Sequence, residues 1–256
     1  MTVPFKVYIP ARYASTRLPG KLLIRIDGKP LLQHVFEAST RSGAREVVVA
    51  TDDARIEEAA AGFGAAVVAT GVGHASGTER LSEAVTARGE PEDMVIVNVQ
   101  GDEFGIPPEQ IDQVAALLHG DGEAAIATLY EAITDEADFR NPNIVKVVFD
   151  RNGHALYFSR SPIPDQHPDT AATATFSCPP YRHIGIYAYR AGFLRHYAGL
   201  PPCGLEKSER LEQLRALYNG YVIRVAEACV SGGLEVNTEA DLERARSANA
   251  GMQGQT

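Results

Sequence analysis

The chain has 256 residues, 45% of them hydrophobic and 22% charged, which suffices for one large domain or two small ones with a proper core. Its net charge of −9, from 24 basic and 33 acidic side chains, disfavours a general nucleic-acid or membrane-surface binder. Three widely spaced cysteines without a CxxC pair argue against a disulfide scaffold or a zinc site, and the lack of a signal peptide or a long apolar run predicts a cytoplasmic protein.

The first half alternates in period. "FKVYIP" reads as a buried strand, "PLLQHVFEASTRSG" as an amphipathic helix stopped by Gly43, and "EVVVATDD" as a second strand. "ARIEEAAAGFG" is a helix, "AAVVAT" a strand, "SGTERLSEAVTARG" a helix, "DMVIVNVQGDE" a strand and "PPEQIDQVAALLHGD" a helix. Such alternation predicts parallel strands with helical crossovers, the doubly wound α/β class. The second half changes character. "IVKVVFDRNGHALYFSRSPIP" reads as a hairpin about an Asn-Gly turn, and Asp165 to Pro180 as a long surface loop. "RHIGIYAYR" follows as a strand, "KSERLEQLRALYNG" as one helix, "YVIRVAEA" as a strand and "TEADLERARSANA" as a closing helix. A single domain is expected, with a half at about 1–130 and another at about 131–248.

Ligands of such sheets bind beyond the carboxyl ends of the strands. There the sequence places Arg12, Thr51, Asp52 and Asp102. In "IPARYASTRLPGK" three cations, Arg12, Arg17 and Lys21, share a loop with Ser15 and Gly20, although the protein is acidic. Free backbone amides and concentrated positive charge suit a triphosphate, though the spacing matches neither GxxxxGK[ST] nor GxGxxG. Asp102, at the tip of an apolar strand, is a natural Mg²⁺ ligand and equally a common turn residue. No Ser-His-Asp or Cys-His set suggests a covalent nucleophile.

Taken in order, "IPARYASTRLPGK", "ATDD", "HASGTERL", "VNVQGDE", "NPNIVKVV", "ALYFSRSPIP", "YRHIGIYAYR" and "LEQLRALYNG" resemble the 3-deoxy-manno-octulosonate cytidylyltransferases, the CMP-Kdo synthetases, from about Phe5 to about Ala248. The resemblance implies a Rossmann-like nucleotide-diphospho-sugar transferase fold, a mostly parallel mixed sheet flanked by helices, with a hairpin-containing part for sugar binding and dimerisation. It implies CMP transfer from CTP to a 2-keto-3-deoxy sugar acid for lipopolysaccharide synthesis, with Mg²⁺, in a homodimer. Ala11, Arg12, Ser15, Arg17 and Lys21 match the CTP loop, with Arg17 and Lys21 on the phosphates. Ser76, Gly77 and Thr78 match a second nucleotide loop, where a helix N-cap is the plainer role. Gln100 matches a position near the base and Asp102 the metal position. On the sugar side, Arg160 matches a cation for the substrate, and His183, Tyr187, Glu212 and Gln213 match sugar contacts. Four residues apart on a strand, His183 and Tyr187 should share one face.

Two places depart from the family's pattern. Asn237 in "VNTEADL" stands where the family has a metal-ligating Asp, and a neutral amide oxygen should hold Mg²⁺ more weakly than a carboxylate. Phe104 and Gly105 in "GDEFGIPP" replace a proline and a bulky apolar residue beside Asp102, a change that could reshape the site and whose effect the sequence leaves open. A relative specialised for another sugar acid, such as an amino-substituted one, and a catalytically silent CTP-binding protein remain as alternatives.

Overall fold

The computed structural model describes residues 4–15, 17–166, 176 and 178–253. The expected loop from Asp165 to Pro180 therefore lies mostly outside the described residues. Strand β1 (Phe5–Ala11) leads through a helical turn at Lys21–Leu23 and a small ribbon, β2 (Arg25–Ile26) and β3 (Lys29–Pro30), into α1 (Leu31–Thr40). There follow β4 (Val47–Thr51), α2 (Ala54–Gly62), β5 (Ala66–Ala69), α3 (Gly77–Ala87) and β6 (Val95–Asn98). Next come β7 (Glu103–Phe104), α4 (Pro108–His119), β8 (Ala124–Ala132), α5 (Glu136–Arg140), β9 (Lys146–Phe149) and β10 (Ala155–Ser159). The chain continues with β11 (Tyr181–Arg190), α6 (Ala191–Tyr197), α7 (Gly204–Glu209), α8 (Gln213–Tyr218), β12 (Val222–Glu227), β13 (Leu234–Glu235) and α9 (Glu239–Gln253).

The central sheet has nine strands. Its path runs β10-β9-β11-β6-β1-β4-β5, and β8 joins it by pairing with β11 and β12. The pairs β6–β1, β1–β4 and β4–β5 are parallel, as the alternating first half predicts, whereas β11 runs antiparallel to β6, β8 and β9. All five residues of β4 are buried because helices cover both faces, which explains an unbroken apolar run in place of alternation. Val7 and Ile9 of β1 pack in the layer with α1 and α4, while Tyr8 points to the opposite layer with α3 and α6. Each fully buried aliphatic side chain contributes roughly 1.5–3 kcal/mol relative to exposure.

The hairpin forms as expected: β9 and β10 are antiparallel, and Gly153 in the turn takes a left-handed φ of 76°. Two expectations fail. The strand foreseen over "DMVIVNVQGDE" is shorter, because β6 ends at Asn98 and Glu103–Phe104 pairs separately with β13. "KSERLEQLRALYNG" is not one helix. Arg210 sits at φ 55°, ψ 48° and separates α7 from α8. The carboxylate of Glu209, the last residue of α7, accepts from Ser159 Oγ at 2.7 Å and the Arg160 amide at 2.9 Å, which ties this end of α7 to the end of β10.

Candidate active site

In the sheet order β4-β1-β6 the chain reverses direction of growth beside β1, so a crevice opens beyond the carboxyl ends of β1 and β6. A cleft of about 360 Å³ occupies it. Ala11, Arg12, Ser15, Arg17 and Lys21 line one wall, and Ser76, Gly77, Gln100, Asp102 and Asn237 line the other. Most of the expected nucleotide residues therefore converge. Ser76 also caps α3, its Oγ accepting from the Glu79 amide at 3.2 Å, so the plain role and the cleft position coexist. Arg12 and Arg17 are exposed, and neither pairs with a carboxylate among the described residues. Gly101 sits in close quarters, since a Cβ there would approach Leu22 at 3.2 Å and the Pro10 carbonyl oxygen at 3.3 Å, tighter than ordinary contact. That close approach sets Asp102 against the first loop.

Lys21 ties the cleft together. Gly20 turns the chain with a φ of 67° and packs on the Tyr13 ring, and Lys21 follows directly. Its ammonium donates to Asp102 Oδ2, to Asn237 Oδ1 at 3.0 Å and to the Val236 carbonyl at 3.1 Å. Asn237 is thus placed beside Asp102, as its position in the motif suggested. Asn237 itself is held by the Asp241 carboxylate, which accepts from its backbone amide at 3.0 Å. Phe104 does not enter the cleft. Its ring is 4% exposed and packs edge-on against His34, with centroids 5.2 Å apart.

A second, larger cleft of about 560 Å³ adjoins the first and shares Gly77, Gln100, Glu212 and Glu235 with it. Arg160, His183, Tyr187, Glu212 and Gln213 all line it, as expected for the sugar side. Thr78, expected on the nucleotide side, lines this cleft instead, because it is the second residue of α3 and turns away from the loop. The His183 and Tyr187 rings meet at 5.2 Å, on one face of β11 despite an irregular register between Ile184 and Tyr187. Burial pushes the His183 imidazole down to about 3, so it is neutral at pH 7. Thr128 Oγ1 donates to the Ile186 carbonyl at 2.7 Å, which leaves it to accept from His183 Nε2–H at 2.9 Å. Nδ1 is then a hydrogen-bond acceptor.

Gln213 is 7% exposed, and its Nε2 has no hydrogen-bond partner among the described residues. An orphaned donor on the wall of a cavity is what a ligand oxygen would satisfy. Burial raises the Glu212 carboxyl, offset by hydrogen bonds from Thr78 and Ser76. Arg160 spends Nε on the Glu209 carbonyl at 2.8 Å and Nη1 on the Pro142 carbonyl at 3.1 Å, which fixes the guanidinium while adding no counter-charge. The buried Lys146 pins the same wall, donating to the carbonyls of Asn141, Ile144 and Arg160 at 3.0, 2.6 and 2.8 Å.

Several lining residues carry no warning in the sequence. Arg210 lies inside the stretch that reads as a helix, and only its left-handed backbone brings it to the cavity. Glu103 and Glu235 face each other across the β7–β13 pair, and burial, then the charges of Glu235 and Asp102, push Glu103 up to about 7. Their approach depends on a two-residue pairing that no periodicity marks. Arg80 is 4% exposed and reaches Asp52 Oδ2 at 3.0 Å, which stiffens the nucleotide wall.

Known proteins are similar to this chain along most of its length. A family model described as cytidylyltransferase matches residues 7–227. A 3-deoxy-manno-octulosonate cytidylyltransferase of Pseudomonas fluorescens is 54% identical over 253 residues, covering 96% of this chain and 98% of the relative. One from Marinobacter nauticus is 55% identical over 250 residues, covering 95% and 96%. A solved CMP:2-keto-3-deoxy-manno-octonic acid synthetase complexed with CTP superposes with a TM-score of 0.88 at 41% identity, covering 97% of this chain and 99% of that one. With matches of this depth along nearly its whole length, the chain belongs to the cytidylyltransferase family.

Proposed function

We propose that this protein transfers CMP from CTP to 3-deoxy-manno-octulosonate, releasing pyrophosphate, and so supplies an activated sugar for lipopolysaccharide synthesis. The observation that carries this is the meeting of two clefts at Gly77, Gln100, Glu212 and Glu235, one beside a basic loop and the other walled by sugar-type hydrogen-bonding groups. The sugar's anomeric hydroxyl oxygen attacks the α-phosphorus of CTP at that junction. The new phosphorus–oxygen bond forms as the bond to the β-phosphate bridging oxygen breaks, and pyrophosphate leaves with that electron pair while the hydroxyl proton passes to solvent. Arg12 and Arg17, unpaired among the described residues, meet the phosphate oxygens, and the N-terminus of α3 adds its dipole. In the second cleft, Arg160 offers charge to the sugar carboxylate, while Gln213 Nε2 donates and His183 Nδ1 accepts at sugar hydroxyls. Holding both reactants in adjoining clefts supplies the proximity on which such a transfer depends.

Mg²⁺ belongs to the same proposal. The Lys21 ammonium marks a point where three oxygens converge: a carboxylate, an amide and a backbone carbonyl. Mg²⁺ favours such oxygen donors, with one or two carboxylates plus substrate phosphates. Asp102 and Asn237 would hold it, and when bound it neutralises charge on the triphosphate. Homodimerisation and a cytoplasmic place of action belong to this proposal as well; among the described residues no helix is long and apolar enough to cross a membrane.

Pyrophosphate release, measured for CTP and UTP across a panel of 2-keto-3-deoxy acids, tests the proposal. CTP with 3-deoxy-manno-octulosonate should be the preferred pair. Preference for an amino-substituted acid would instead make the protein a specialised relative, and CTP binding without release would make it a silent one.

A further inference from the structure

Lys21 carries three N–H donors, and all three are spent. They go to Asp102, Val236 and Asn237, and the Lys21 and Asp102 side chains are only 13% and 16% exposed. An ammonium engaged in this way has no donor left for a phosphate. The lysine that the loop offers to CTP is, without nucleotide, the counter-ion of the cleft's carboxylate.

We infer that Lys21 is a placeholder for the metal: its ammonium keeps Asp102 and Asn237 converged in the nucleotide-free protein and yields that position only when CTP draws it onto the phosphates. The inference rests on the Mg²⁺ proposal above. Three physical facts support it. A partly buried carboxylate such as Asp102 is costly without a counter-charge, so one cation must hold the place before another can. A divalent ion arriving alone must expel the ammonium and shed its own tightly held water, with only water and no anion to receive the displaced lysine. CTP provides the receiver, since its phosphates take an ammonium on a flexible four-carbon stem readily. Metal and nucleotide then bind with positive coupling, and by linkage each raises the affinity of the other equally. Asn237 suits this exchange. Its amide oxygen, at 3.0 Å, orients the ammonium without adding charge.

The test is Mn²⁺ binding followed by electron paramagnetic resonance, which needs no turnover. The unmodified protein is titrated with Mn²⁺ alone and with CTP, and each titration is repeated on Asp102→Asn to isolate the site. The result expected is Asp102-dependent Mn²⁺ binding with CTP and at least about tenfold weaker binding without it, a coupling typical of linked sites. Lys21→Met should bind Mn²⁺ without nucleotide, and Lys21→Met combined with Asp102→Asn should not. Equal Asp102-dependent binding to the unmodified protein with and without CTP overturns the placeholder role while leaving the metal site intact. CTP-linked binding indifferent to Asp102→Asn overturns the metal proposal and this inference with it. Because substrate phosphates alone would strengthen Mn²⁺ binding, the nucleotide-free titration of Lys21→Met decides the placeholder role: binding no tighter than that of the unmodified protein overturns it, and Lys21→Gln, also uncharged, repeats the measurement if Lys21→Met does not fold.

Discussion

Gln213→Met should move stability and sugar binding in opposite directions. Gln213 opens α8, is 7% exposed, and leaves Nε2 without a hydrogen-bond partner among the described residues. A buried donor left unmade costs about 1–3 kcal/mol, and methionine keeps the length and helix propensity of glutamine while removing the donor. The free variant should therefore be more stable by about 1 kcal/mol, allowing for imperfect packing of the thioether. A hydrogen bond to a neutral sugar hydroxyl is worth about 0.5–1.5 kcal/mol, so the KM for the sugar acid should rise roughly two- to twelvefold. The KM for CTP should stay put, because Gln213 lines only the larger cleft. Urea unfolding gives the first quantity and initial-rate pyrophosphate release the second. A variant less stable than the parent with an unchanged sugar KM would show that the amide serves packing alone.

Asp102→Asn should lower kcat by at least about 100-fold while the fold survives, because it removes the carboxylate facing Lys21 and the metal position; near-normal kcat at ordinary Mg²⁺ would contradict this. Arg17→Ala should weaken CTP about tenfold or more in calorimetric titration and CMP far less, since CMP lacks the β- and γ-phosphates; equal losses would place Arg17 on the base or ribose. Asn237→Asp should lower the Mg²⁺ concentration that half-saturates turnover, and a dependence identical to the parent's would take Asn237 away from the metal. His183 has a folded value of about 3 against an ordinary 6.5, so the unfolded chain takes up the proton first and stability falls as pH drops from 6.5 toward 3. The loss is about 2 kcal/mol at pH 5, and His183→Gln should remove that part of the slope in unfolding measured at pH 8 and pH 5.

The nucleotide half was legible because local signals agreed with the global fold. β1, β4 and β6 are short apolar runs, α2 and α3 between β4 and β6 are capped by Asp53 and Ser76, and the strand order places Arg12, Asp52 and Asp102 at one edge without further information. The family motifs then supplied the sugar side, and every expected site residue lines one of the two clefts. What stayed hidden depends on contacts between distant segments. β8 is alanine-rich and ends in Glu-Ala, a composition closer to helix than strand, and becomes a strand through pairing with β11 and β12. The break at Arg210 goes with ties between Glu209 and the far end of β10, which periodicity does not report. The side that Thr78 faces and the partner that Lys21 chooses are likewise set by tertiary packing. Lys21 reads as a phosphate ligand from its loop and shows itself as the partner of Asp102 only when α9 and β13 bring Asn237 and Val236 beside it.

Phosphorus NMR of a reaction containing the protein, CTP, Mg²⁺ and 3-deoxy-manno-octulosonate tests the central claim most directly, because it observes the bond that forms and the group that leaves. The two-cleft account predicts a new phosphodiester resonance from CMP linked to the sugar and an equal amount of pyrophosphate, both absent when the sugar acid is omitted. Unchanged CTP resonances, or pyrophosphate appearing with free CMP and no phosphodiester, would contradict it.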